Sequence, residues 1–150
     1  MGARSWWLLF SPAVIFGAVF SGVTLALLGS LPDSLATQWN SAREVTSQIS
    51  IGPLIPVAVT ALFLPALICG VVLFLGRAAT ALPQALRVCG VIAWGLSVFV
   101  GVSMIGIVVS QAGRESADPT SGPPTVWILS GLFAGLVAGV AAVVVFKPSL

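Results

Sequence analysis

Four long apolar runs separated by three polar intervals set the pattern of this chain. The first runs from Trp6 to Leu28. At about 1.5 Å per residue it is longer than a hydrocarbon core of ~30 Å, so it predicts a membrane-spanning helix. It also exceeds the roughly 7–15 residues of a signal-peptide core, and no small-x-small cleavage site follows, so it reads as uncleaved. The second run, Ile51 to about Leu75, is proline-rich. Pro53 and Pro56 suit a helix start. Pro65, deeper in, deprives the Ala61 carbonyl of its usual partner, so a packing kink is expected there, relieved by neighbouring helices or by the Thr60 hydroxyl. The third run spans Val88 to about Ser110 and the fourth Thr125 to Phe146. The expected fold is an all-α integral membrane domain of four transmembrane helices, about 6–28, 51–75, 88–110 and 125–146, occupying residues 1–150 as one unit.

The polar intervals differ in kind. GRAATALPQALR, Gly76 to Arg87, reads as a short loop, and QAGRESADPTSGPP before helix four is too rich in Gly, Pro and Ser for regular structure. The longest, Gly29 to Ser50, holds two of the four acids, Asp33 and Glu44. Pro32 fixes one φ angle, and Asp33 beside Ser34 can accept local backbone hydrogen bonds, which suits an ordered turn. Trp39, folded back, would anchor the loop at headgroup level with its N–H in the polar zone.

With the amino terminus inside, Arg4, Arg77, Arg87 and Lys147 are cytoplasmic while Arg43 and Arg114 are external. This is a positive-inside bias, with both termini in the cytoplasm and the loop between helices one and two outside. Trp6, Trp7 and Trp127 then fall at water interfaces.

Burying leucine gives membrane helices little reason to associate, because lipid tails are equally apolar; small residues that let backbones approach supply the contact. Helix four carries Gly131, Gly135 and Gly139 at four-residue spacing. Helix one carries Ala13, Gly17 and Ser21, with Ala18, Gly22 and Ala26 beside them. Both ridges are expected to be contact faces. The pattern leaves open whether they pack within the chain, against other membrane proteins or in a homo-oligomer.

Composition sharpens this by exclusion. The chain is 58% hydrophobic and 7% charged, against about a quarter charged in ordinary soluble domains. Most of its surface must therefore face membrane lipid. A net charge of +2 without basic clusters points away from nucleic acid. There is no histidine, hence no imidazole ligand and no Ser–His or Cys–His pair; no catalytic residues, metal or cofactor are expected. The expected spans lack ionisable residues, which argues against an ion-coupled transporter. Asp33, Glu44, Glu115 and Asp118 lack any calcium-loop spacing and read as solvated loop charges. Cys69 and Cys89 sit in apolar runs without metal spacing and read as small packing residues.

One segment resembles a named family. LPDSLATQWNSAREV is similar to the signature of the bacterial membrane family called domain of unknown function 1648, which also lies between a first helix and a proline-rich second. Leu31, Pro32 and Asp33 match its opening, Trp39 and Asn40 its aromatic–amide pair, Glu44 and Val45 its close, and Pro53 and Pro56 its second helix. Ala36, Gln38 and Arg43 stand where the family often has proline, histidine and glycine. Gln38 can hydrogen-bond like an imidazole but cannot titrate, which removes any role resting on that histidine. The likeness covers about residues 8–75. Some relatives, the SdpI-like immunity proteins, protect against a secreted toxin. The resemblance therefore implies a bacterial inner-membrane location and a loop, centred on Leu31, Pro32, Asp33, Gln38, Trp39, Asn40 and Glu44, that caps the bundle or recognises a partner, peptide or lipid. The rival expectations are an accessory subunit docking through its small-residue faces and a transport component gated at Pro65.

Overall fold

The computed structural model describes residues 3–42, 44–76, 82–114 and 124–146. Its elements are α1 (Ala3–Leu27), β1 (Ser34–Trp39), β2 (Val45–Ser50), α2 (Ile51–Leu75), α3 (Leu82–Gln111) and α4 (Thr125–Val145), with a short 3-10 turn, Leu28–Ser30, after α1. All four helices are long and apolar enough to cross a membrane. The chain is a multi-pass membrane protein. Arg43, Arg77, Glu115, Asp118 and Lys147 lie outside the described residues.

Three expectations are corrected. The interval between the first two helices is not merely an ordered turn but an antiparallel β-hairpin, so the fold is not all helical. Second, α3 begins at Leu82 rather than Val88, because a helix can run past the apolar zone that hydropathy detects. Arg87 therefore lies within its second turn, and Arg4 likewise lies inside α1, so the helices do contain basic residues near their ends. Third, the Thr60 hydroxyl does not serve the Ala61 carbonyl; it donates to Pro56 O at 2.7 Å, one turn back on its own helix. The helix stays unbroken through Pro65.

The hub is α3, which packs against all three other helices. Its small residues receive what its neighbours present. A side chain at Gly101 would meet the Phe16 ring of α1, and one at Gly106 the Trp127 ring of α4. Between α3 and α4 the backbones themselves touch: a Cβ built on Gly135 would lie 2.6 Å from the Gly95 carbonyl oxygen. Gly131 meets Ser103 and the Phe99 carbonyl, and Gly139 meets Val91. The glycine ridge of α4 therefore faces α3. On α1, Ala13 and Gly17 are buried, Gly17 beside the Phe63 ring of α2, and the Ser21 hydroxyl turns back to Gly17 O at 2.8 Å.

Polar glue complements this packing. Pro12 has no N–H for the Leu8 carbonyl. That oxygen instead accepts from Ser11 Oγ at 2.9 Å and from Trp94 Nε1, across on α3, at 2.8 Å. Ser97 Oγ, fully interior, donates to Leu62 O at 3.0 Å and ties α3 to α2. A side chain that satisfies a freed or shared carbonyl is worth more where no water can.

Two clusters form the interior. One, near the start of α1, joins Leu9, Ala66, Cys69, Leu73, Cys89, Ala93, Ala142 and Phe146. Both cysteines are free and buried there, side by side across α2 and α3. The other, at the opposite end, joins Phe20, Leu54, Ala58 and Val108 to Leu35 of the hairpin.

Candidate functional site

The hairpin lies over the end of the bundle where α1 and α3 finish and α2 begins. Of its two strands β2 shows period-two alternation and β1 does not. In β2, Val45, Ser47 and Ile49 turn inward while Thr46, Gln48 and Ser50 are exposed. In β1, Leu35 and Ala36 are fully buried. Leu35 pairs with Ile49, and both pack onto the helix ends. Leu35 and Ile49 thus cap the bundle, while Thr46, Gln48 and Ser50 of β2 are exposed.

Register slips twice, where Thr46 of β2 is extra between Val45 and Ser47 and, as in a β-bulge, where Thr37 of β1 is inserted between Ala36 and Gln38. The Thr37 hydroxyl reaches Ser47 O at 3.3 Å. On the outer face Ser34 Oγ donates to Gln48 Oε1 at 2.8 Å. The turn is closed by Asn40 and Glu44. Asn40 N–H donates to Glu44 O at 2.9 Å, Asn40 Nδ2 to the Glu44 carboxylate at 2.7 Å, and Glu44 N–H to Asn40 Oδ1 at 2.9 Å. These two residues of the family-like signature thus brace the turn, each through backbone and side chain.

What locks the hairpin to the bundle is Gln111, the last residue of α3 and only 3% exposed. Its Oε1 accepts from Ala36 N–H at 2.8 Å and its Nε2 donates to Ala36 O at 3.0 Å. A side-chain amide here reads one residue of β1 as a neighbouring strand would. Beyond it, Gly113 N–H donates to Ser30 O at 2.7 Å, with Gly113 at φ +79, a conformation that suits glycine. The sequence signal for Gln111 was slight: a polar residue at a helix end looks like any interfacial residue, and its partner is backbone.

The anticipated loop residues divide by this geometry. Pro32 is buried and Leu31 half-buried against the second cluster. Asp33, Gln38, Asn40 and Glu44 are exposed. Trp39 is half-buried, and its indole nitrogen is shut off from solvent without a partner among the described residues, rather than sitting in a wet polar zone. No group of three or more Cys, Asp or Glu comes together to hold a metal among the described residues. Elsewhere a groove of about 430 Å³ lies between α3 and α4, lined by Gly95, Leu96, Phe99, Gly135, Leu136 and other apolar residues. It offers no polar group to fix a reactant. Among the described residues the outside of the hairpin gathers exposed polar side chains, and no protein-family model, curated protein or solved structure matches the chain.

Proposed function

We propose that this protein is a non-enzymatic, multi-pass component of the bacterial inner membrane whose hairpin faces the outside, caps the bundle and recognises a partner protein, peptide or lipid. The observation that carries this reading is the division of labour within the hairpin. Its inner face is fastened to three helices by Leu35, Ile49 and Gln111, while Asp33, Gln38, Asn40 and Glu44 stand exposed on a braced frame. A frame held still before binding loses little entropy on binding. The positive-inside bias puts both termini in the cytoplasm and this frame outside. The likeness to the domain of unknown function 1648 family and its immunity proteins agrees with an outward-looking role.

The test is capture of partners from membranes by the wild type and by an Asp33→Ala/Trp39→Ala variant. Equal recovery of every captured component would remove recognition by the hairpin. Labelling an Asn40→Cys variant in intact cells with an impermeant thiol reagent checks its side of the membrane.

A second reading, an accessory subunit of a larger complex, is favoured by one observation. Ala18, Gly22 and Ala26 form an exposed small-residue line on α1, with nothing near the Gly22 position. Gentle solubilisation separates the two, since a subunit co-migrates with a large assembly.

A further inference from the structure

Resting on the reading of the hairpin as a recognition surface, we infer that its partner is a second copy of this chain, joined edge to edge through β2 into a four-stranded antiparallel sheet. The strand edges of the hairpin are treated unequally. Gln111 occupies the outer edge of β1, taking both the N–H and the C=O of Ala36. In an antiparallel pair, directly opposed residues alternate between those that exchange both hydrogen bonds and those that exchange none. Ala36 spends its groups on Gln111, so Ala36 and Gln48 are a non-bonded pair. The bond from Ile51 N–H to Asp33 O keeps the same alternation. The N–H and C=O of Gln48 therefore turn outward, away from β1, and by the two-residue period so does the N–H of Ser50, whose C=O stands at the N-cap of α2. Among the described residues no group outside the hairpin takes those of Gln48.

Natural edge strands are blunted by charge, proline or bulges. Val45–Ser50, VTSQIS, has no charge and no proline, and its one irregularity is Thr46, which pairs with no residue of β1. An edge without charge, proline or bulge over Ser47–Ser50 in an otherwise well-fastened hairpin fits an edge that is used.

Three features select a second copy as the occupant. First, β2 is self-complementary. A twofold axis between the two Gln48 residues opposes Ser47 to Ile49 of the second copy in both directions, so the regular part of β2 pairs with itself and brings no charges together. Second, the symmetry is compatible with a membrane. The dyad of an antiparallel pair runs perpendicular to the sheet. The inner face of this sheet, Leu35 and Ile49, packs on the helix ends, and Gln48 and Ser50 are exposed on the other face. The dyad thus parallels the bundle, the direction required for two copies to share one bilayer in one orientation. Third, there is room. Ile51 opens α2 three residues from the dyad, about 10 Å at ~3.3 Å per residue. The two α2 helices then start about 20 Å apart, beyond the ~10–12 Å diameter of a helix.

The test is disulfide trapping of the full chain in native membranes, in a Cys69→Ala/Cys89→Ala background. On mild oxidation Gln48→Cys is expected to convert most of the chain to a reducible dimer, while the equally exposed Asn40→Cys at the hairpin tip stays monomeric. Trapping at Gln48→Cys no greater than at Asn40→Cys, or trapping onto a different protein, overturns the inference. Gln48→Pro adds a second check. It removes an outward N–H that the hairpin itself does not use, so helical content and melting temperature should hold while the dimer is lost. A dimer that persists with folding intact also overturns it. Failure here leaves the broader reading standing if the Asp33→Ala/Trp39→Ala variant still loses a captured component.

Discussion

Replacing Gln111 with alanine removes the amide that fastens β1 to α3, and the cost can be worked from the contacts. Two bonds to Ala36 are lost, at 2.8 and 3.0 Å. Each net bond is worth about 1 kcal/mol, but the larger effect is what remains: an N–H and a C=O orphaned where Ala36 is 1% exposed, each costing ~1–3 kcal/mol. Together that is about 2–6 kcal/mol, the low end applying if water enters the vacated space. The second bond of Nε2, to Ile107 O at 3.3 Å, adds little because that carbonyl lies within α3. The loss should be local, since the bundle below is packed independently of this clamp. Hydrogen exchange in a detergent-solubilised or nanodisc sample should show the amides of Leu35, Ala36 and Ile49 opening at least about 30-fold more readily, as ~2 kcal/mol dictates. Amides midway along α2 and α3 should be unchanged. Gln111→Glu keeps an acceptor for Ala36 N–H and loses the donor to Ala36 O, so it should fall between. Hairpin amides exchanging within about twofold of the wild-type rate would refute the clamp.

Other perturbations follow from the same geometry. Adding a methyl along the α4 ridge should hurt most at Gly135, where it meets the Gly95 backbone at 2.6 Å, and least at Gly139, where the nearest atom is a valine methyl at 3.4 Å; melting temperatures that rank Gly139→Ala below Gly135→Ala would contradict the interface. Trp94→Phe should cost about 1 kcal/mol through the bond to Leu8 O. It should cost less in a Pro12→Ala background, where the helix supplies its own donor, and a double-mutant cycle on thermal stability measures that coupling. Asn40→Ala should loosen the hairpin tip by only about 0.5–1.5 kcal/mol, because its bonds to Glu44 are exposed; tip amide exchange reports it.

The helices were legible because a span of apolar residues longer than the hydrocarbon core has few other uses. Their ends were less so. Leu82 to Arg87 contains Pro83, Gln84 and Arg87, which lower hydropathy without breaking a helix, and Pro83 near the start is well tolerated. The hairpin carried a fair signal in the alternation Val45, Ser47, Ile49 against Thr46, Gln48, Ser50, but six residues of mixed polarity also read as loop. The glycine ridge of α4 was visible, whereas its partner was not, since Gly95 on α3 belongs to no regular small-residue series. Gln111 was illegible for a different reason: it recognises backbone, and backbone leaves no mark in the sequence.

The unequal treatment of the two strand edges bears on how far assembly could proceed. A hairpin with both edges open can add copies at each side and grow, because each addition presents a fresh edge. Here the amide of Gln111 stands where another strand would pair with Ala36, and that residue is buried against the end of α3. One edge per copy remains, and a twofold pairing consumes both at once, so association closes at two. Oxidised Gln48→Cys protein should accordingly give a single band at dimer mass at every protein density in the membrane, with no ladder above it. Species beyond the dimer that grow with density would mean that β1 also offers an edge, and that Gln111 is not the block its geometry implies.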